Sequence, residues 1–386
     1  MSELINTHDN RATIRWKLLT GASALALTAY VSSTGLARAD DTDRPTIWIE
    51  LGGDMQMMQG LSKPFVPPFL LVTPTPSPYL IDSPIALQRP PRDAMGIDGK
   101  ITFQPEDSDW IFSAGIRYGR SHSRRHVHHE TALPSVSFDN CFTYYGYSYC
   151  YSGTLAVGQK LLSDVKVTNS EKHVVMDFSA GKDVGLGLLG PGGTSIVSAG
   201  VRLARFVMKS HVDIHAIPSV AIGYPTQFHV YPYVTAIQHY TMHAGASREF
   251  NGVGPSLSWA GSAVLAGNPQ AGELMLDWGV DAALLFGKQK AKIDHTTRDV
   301  IEGRVGGAIP TFTSTVPHHD TRSRSVTVPN VGGSLGFSVK YPNFKVSLGY
   351  RYDTFLNAMD VGIDARKTSN LTFNGPYASI SIGLGD

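Results

Sequence analysis

Beyond residue 40 the sequence has no run approaching the roughly 20 consecutive apolar residues that a membrane-spanning helix needs, which excludes a polytopic helical membrane protein. Charged residues make up only 17% of the 386, too few for a coiled coil or a charge-rich disordered chain. Basic excess is missing too: 33 Lys+Arg face 32 Asp+Glu, so no nucleic-acid partner is expected. Neither a Gly-x-Ser-x-Gly nucleophile elbow nor a His-Glu-x-x-His zinc helix occurs. No enzymatic activity and no cofactor are therefore expected. Cysteine is scarce, with Cys141 and Cys150 alone.

The N-terminus has the order of an export signal. Arg11, Arg15 and Lys17 precede an apolar stretch over 18–36, and Ala37-Arg38-Ala39 supplies small residues at a cleavage site before the acidic 40–43. Residues 1–39 are thus expected to be a cleaved signal peptide and 40–386 an exported, almost neutral chain. In an oxidising compartment Cys141 and Cys150 are expected to form a local disulfide in the Tyr-rich segment NCFTYYGYSYCY.

What the mature chain has in quantity is alternation. Ile47, Ile49 and Leu51 interleave with Trp48, Glu50 and Gly52. Trp110, Phe112, Ala114, Ile116 and Tyr118 interleave with Ser113, Gly115 and Arg117. Leu274, Leu276, Trp278 and Val280 oppose Glu273, Asp277 and Asp281. Similar patterns occupy 173–181, 197–204, 256–265, 334–339, 344–353 and 377–384, with a weaker one over 99–104. A period of two places each set on one face of a strand. The second face is rich in Ser, Gly and charge, and the segments are about ten residues long. Both features suit a barrel with a polar interior and lipid outside better than a soluble sandwich.

Between these segments the links alternate. The long ones cover 59–96, 121–170, 209–250, 288–330 and 354–375; the short ones cover 105–109, 185–194, 267–272 and 341–342. The expectation is an all-β, transmembrane, antiparallel up-and-down barrel of about ten strands, with short periplasmic turns and five long extracellular loops. Twelve strands would follow if 226–243 made another hairpin. Its place would be the outer membrane of a Gram-negative bacterium, with membrane lipid, lipopolysaccharide and small solutes as partners. No residue pattern encodes an oligomeric interface.

Six phrases spread along the chain, DSDWIFSAGIRYGRS (107–121), MDFSAGKDVGLG (176–187), VSAGVRLARF (197–206), FNGVGPSLSW (250–259), LGYRYDTF (348–355) and FNGPYASISIGL (373–384), resemble the pore-forming outer-membrane family typified by the Legionella-type major outer-membrane protein. The resemblance implies a porin-like barrel for passive diffusion of small solutes or ions. The chain departs from many such barrels by ending on Leu384-Gly385-Asp386 instead of an aromatic residue.

Counting inward from the alternation gives a candidate lumen or constriction of Glu50, Asp54, Asp177, Glu273, Asp277, Asp281 and Asp353 against Lys100, Arg117, Arg202, Lys345 and Arg351. These charges either pair across the bore as a plug or line a small, mildly cation-preferring passage. In GRSHSRRHVHHE (119–130), Arg120, Arg124 and Arg125 are candidates for lipopolysaccharide phosphates. His126, His128 and His129 form a weak metal candidate, and His318-His319-Asp320 rates no higher. The first long link carries Pro64, Pro67, Pro68, Pro74, Pro76, Pro78, Pro84, Pro90 and Pro91, which precludes a helix there.

Two rival readings exist. A surface adhesin or structural barrel would use the long links for recognition. An outer-membrane hydrolase would use Asp213-Ile214-His215, which resembles the Asp-x-His half of the omptin protease site. The matching acidic half is missing, since Asp107-x-Asp109 lies in a short turn at the opposite end.

Overall fold

The structure, a computed structural model, describes residues 46–59, 80–82, 93–105, 108–132, 135–155, 160–184, 193–223, 233–268, 270–303, 311–362 and 365–384. The signal segment, Asp107 and the prolines of the first long link lie outside these residues. Ten strands form the wall: β1 (Ile47–Gln59), β3 (Asp93–Phe103), β4 (Trp110–Ala132), β7 (Lys160–Asp183), β8 (Thr194–Gly223), β9 (Tyr233–Asn268), β10 (Gly272–Gly303), β11 (Thr311–Tyr341), β12 (Phe344–Asp360) and β13 (Thr368–Leu384). Each pairs antiparallel with its neighbours in the order β1-β13-β12-β11-β10-β9-β8-β7-β4-β3, and β3 pairs back to β1. Closure removes every unpaired edge at this level, which is the condition for crossing hydrocarbon with strands.

Ten is the count expected from alternation. Of the stretch 226–243 that would have made a further hairpin, Tyr233 onward belongs to β9 itself, and 226–232 lie outside the described residues. The larger correction concerns the long links. Most of 121–170, 209–250 and 288–330 is strand, not loop, as β8, β9, β10 and β11 run 30, 36, 32 and 31 residues. The last link shortens to 361–367. Two further elements sit in the remaining links. A short β2 (Leu80–Asp82) pairs with β8 at Ser219–Ala221. A separate hairpin, β5 (Val136–Tyr144) and β6 (Tyr147–Leu155), turns at Tyr145 and Gly146, both with positive φ (48° and 80°), as a two-residue hairpin turn requires. Cys141 and Cys150 are directly opposed in this hairpin, Cα atoms 4.1 Å apart, and are disulfide-bonded.

The exterior of the ring carries an exposed apolar belt nearest the short turns. It includes Leu51, Ile97, Ile116, Phe178, Val201, Leu257, Val280, Leu335 and Leu348. On β4 it runs from Trp110 to Tyr118, about 27 Å along the strand. Tilted as barrel strands are, that covers most of an apolar band about 25 Å tall. Aromatics mark both rims. Phe103, Trp110 and Phe112 lie toward the short turns, as does, on β9 and β10, the edge-to-face pair Trp259–Trp278, whose centroids are 4.9 Å apart. Tyr118, Tyr350 and Tyr352 lie toward the far rim. A closed ring with such a belt is an outer-membrane barrel.

Beyond the belt, six adjacent strands continue together as a wall: β4, β7, β8, β9, β10 and β11. Here the chemistry of the two faces exchanges. On β10 the exterior goes from Val280, Leu284 and Phe286 to Lys288, Lys290 and Lys292, while the interior goes from Asp277 and Asp281 to Ala291 and Ile293. Val165, Val212, Ile214, Tyr240, Met242 and Ile293 form one buried apolar cluster on the interior side of this wall.

Candidate functional site

The interior at belt depth is a charged tier. Arg202 on β8 is 5% exposed, and its Nε donates to Asp177 Oδ1 at 2.5 Å. Its Nη1 donates to Asp281 Oδ2 at 2.5 Å and also to Asn330 Oδ1. Arg117 on β4 donates to Asp353 on β12 and lies 3.8 Å from Asp177. Lys345 Nζ is 2.8 Å from Asp277 Oδ2, and Arg351 Nη1 is 4.0 Å from Asp54 Oδ2 while lying over the Tyr377 ring. Glu50 faces Lys100 across the β1–β3 register, and Glu273 faces Lys340 across β10–β11. Every interior charge named from the sequence thus has the interior parity. Asp277 and Asp281, which would have made an acidic constriction, each hold a cation from another strand. Asn330 and Asp98, also interior, were missed because a lone Asn and an Asp among glycines carry no pattern of their own.

Directly beyond that tier the bore is filled by aromatic and aliphatic side chains. Phe206 on β8 meets Phe373 on β13 with centroids 5.8 Å apart, Phe355 on β12 at 4.6 Å and Phe250 on β9 at 5.8 Å. In the ring order β8 and β13 are five steps apart, so the first of these contacts spans the full diameter. Met58, Leu285, Val328 and Leu371 belong to the same cluster, each no more than 5% exposed. His173 lies against Phe373 (4.2 Å) and shares a buried 2.9 Å contact with Glu171. Gly119 opposite is needed for this, since a Cβ there would fall 2.0 Å from the imidazole.

The end of β12 turns over this plug. Asn357 takes a left-handed φ of 55°, which Asn tolerates better than most residues, and the register to β13 shifts there. The kink buries both Ala358 and Met359. Asp360 then accepts from the backbone N–H groups of Gly362 and Lys367, both at 3.1 Å, and pairs with Arg322 of β11. Arg248 reaches the Val361 carbonyl from β9. Burial lowers its guanidinium to about 10, against the opposing charge of Asp360.

The residues singled out at 119–130 are strand, so alternation splits them. Arg120, Arg124, His126 and His128 are on the exterior, and Arg125 and His129 on the opposite face. His126 pairs with Asp164, and His128 lies 3.4 Å from Glu130 and 4.0 Å from Asp164. Among the described residues no group of three or more His, Cys, Asp or Glu has a metal-binding arrangement. His318 stacks on His295 inside the wall, and His319 pairs with Asp294 outside it. The protease half-site is also on the wrong face: Asp213 is exterior, between His243 (2.7 Å) and His211 (3.2 Å), with His215 exposed beyond it.

Farther along the wall, Asp299 is buried on the interior face, where Gln238 Nε2 donates to it at 2.7 Å, directly opposite Tyr240. Burial raises its carboxyl above 3.8, with the Gln238 bond working against that. Burial, then the Asp299 charge, pushes the Tyr240 phenol up to about 12. A raised carboxyl means that the ionised form costs stability above the folded-state value. That cost fades as pH falls through it and is gone below 3.8. Asp299→Asn should therefore be more stable than the wild type at neutral pH, with the difference closing in acid; urea midpoints at pH 7.5 and pH 3.5 check this.

No protein-family model and no curated protein matches the sequence. Among solved structures, the outer membrane protease OmpT from Escherichia coli matches at 11% identity over 90% of this chain and 99% of that one, with TM-score 0.35. The Pseudomonas putida toluene transporter TodX matches at 10% identity over 90% of each chain, with TM-score 0.19. The transport unit of the Escherichia coli autotransporter AIDA-I matches at 7% identity over 94% and 98%, also with TM-score 0.19. At this level of likeness none of the three bears on what this chain does.

Proposed function

We propose that this protein is an outer-membrane barrel whose bore is closed at rest, and that its six-stranded wall beyond the membrane serves as a surface for binding. The observation that carries this reading is the contact between Phe206 and Phe373 across the whole diameter, stacked on a tier of paired charges. A hydrated passage needs no such contact, and the buried aromatic tier excludes water from the axis.

The test is conductance of the refolded protein in a planar bilayer. The wild type should show no steady ohmic current. A standing conductance with a reversal potential in a salt gradient would overturn the closed reading.

A small-solute pore is the second reading, favoured by the number of charged side chains kept at belt depth and by the resemblance to the Legionella-type family. On that reading the wild type conducts, with a mild preference for cations that weakens in the Asp277→Asn/Asp281→Asn double variant.

A further inference from the structure

Immediately beyond the apolar belt, the described residues carry their exterior cations on one side of the barrel. Arg120 on β4 is the cross-strand partner of Lys172 on β7, and in the same band Lys209 follows on β8. The band continues onto β10, where Lys288, Lys290 and Lys292 stand on three successive exterior positions, all exposed. Two acids lie among them: Asp294, 3.8 Å from Lys292, and Glu249, the cross-strand partner of Lys290, which is already engaged. The Glu249 carboxyl is held below the ordinary range by the Asn251 amide and then by Arg205, 2.8 Å away. On the opposite side of the ring at this height, the described exterior residues of β12 and β13 include the neutral Thr354, Asn370 and Asn374.

The band has a seam. Where β12 leaves β11, a cleft of about 620 Å³ opens, bordered by Phe286 and Lys288 and lined by Arg324, Thr327 and Arg366, with no acidic residue on its wall. Phe286 is the last exposed apolar residue of β10, so an apolar surface and a cationic one meet at this edge.

A band of cations just above an apolar belt sits where the phosphorylated sugars of the outer leaflet lie. Lys and Arg there gain charge-assisted bonds to phosphate while acyl chains cover the apolar residues below. From this we infer that the β4–β10 side, with the cleft at its end, binds the phosphate groups of lipopolysaccharide and seats the barrel asymmetrically in the lipid. The inference needs the barrel to lie in the outer membrane and does not depend on whether its bore conducts.

The experiment is binding of the detergent-refolded protein to lipopolysaccharide, to the same material stripped of phosphate, and to inorganic phosphate as competitor. Phosphate-bearing lipopolysaccharide should bind more tightly than the stripped form, with affinity falling as salt rises. The triple variant Lys288→Gln/Lys290→Gln/Lys292→Gln should lose roughly tenfold or more in affinity. The triple Lys→Arg variant should retain it, and these exposed positions do not support the fold. Equal binding of the stripped form, or no loss in the Gln variant, would overturn the inference. Inorganic phosphate that displaces lipopolysaccharide at equal concentration would assign the cations to a soluble anion and overturn it as well.

Discussion

Arg202→Met should destabilise the folded barrel by about 3–5 kcal/mol, the range for breaking a buried ion pair by removing one partner. The guanidinium holds Asp177, Asp281 and Asn330 from three different strands, so its loss leaves Asp281 without its cation and Asp177 with Arg117 alone, 3.8 Å away. Methionine matches the volume, which confines the cost to charge and hydrogen bonding. The measurement is the midpoint of reversible urea unfolding in lipid vesicles. The triple variant Arg202→Met/Asp177→Asn/Asp281→Asn should recover much of the loss, because the cost lies in the unpaired acids and not in the missing cation. A single variant as stable as the wild type would show the tier to be water-filled and would favour the pore.

Phe206→Ala should cost about 3–5 kcal/mol, the usual range for a large side chain removed from a packed site. Phe206 touches Phe250, Phe355 and Phe373, so the void lies on the axis, where few neighbours can move to fill it. A second effect separates this site from an ordinary core position: the Phe206→Ala/Phe373→Ala double variant should admit a current in bilayers where the wild type admits none. The two stability losses should not add, since both residues share one contact. A double variant that unfolds less readily than either single one, or a current identical to the wild type's, would contradict the plug.

Much of the barrel was legible because hydrocarbon on one side imposes a strict period of two, and the glycines and serines on the other leave it uncluttered. Strand number and the parity of Arg117, Arg202 and Asp353 followed directly. Strand length did not. Past Phe286 the exterior of β10 reads Lys, Lys, Lys, Asp, Thr, and a charged alternation beside small residues looks like loop until its partner strand is known. The plug was readable in principle. Phe206 stands four positions after Arg202, and Phe355 two after Asp353, so each has the parity of an interior charge. The exterior placement of Asp213 and His215 depends on the same parity carried up β8 from Val201. That count is sound only if the strand continues unbroken, which the sequence around 209–213 does not reveal.

The exchange of chemistry between the two faces at Phe286 and Lys288 has a consequence for insertion. Below that height a one-residue slip between neighbouring strands would drive carboxylates into acyl chains. Above it, the same slip would turn Ile293 and Tyr240 toward water. Each long hairpin is therefore held in alignment by two solvents that penalise opposite mistakes, and the changeover gives the chain a fixed waterline. Sliding the barrel deeper would drag lysines into oil; lifting it would strip lipid from Phe286.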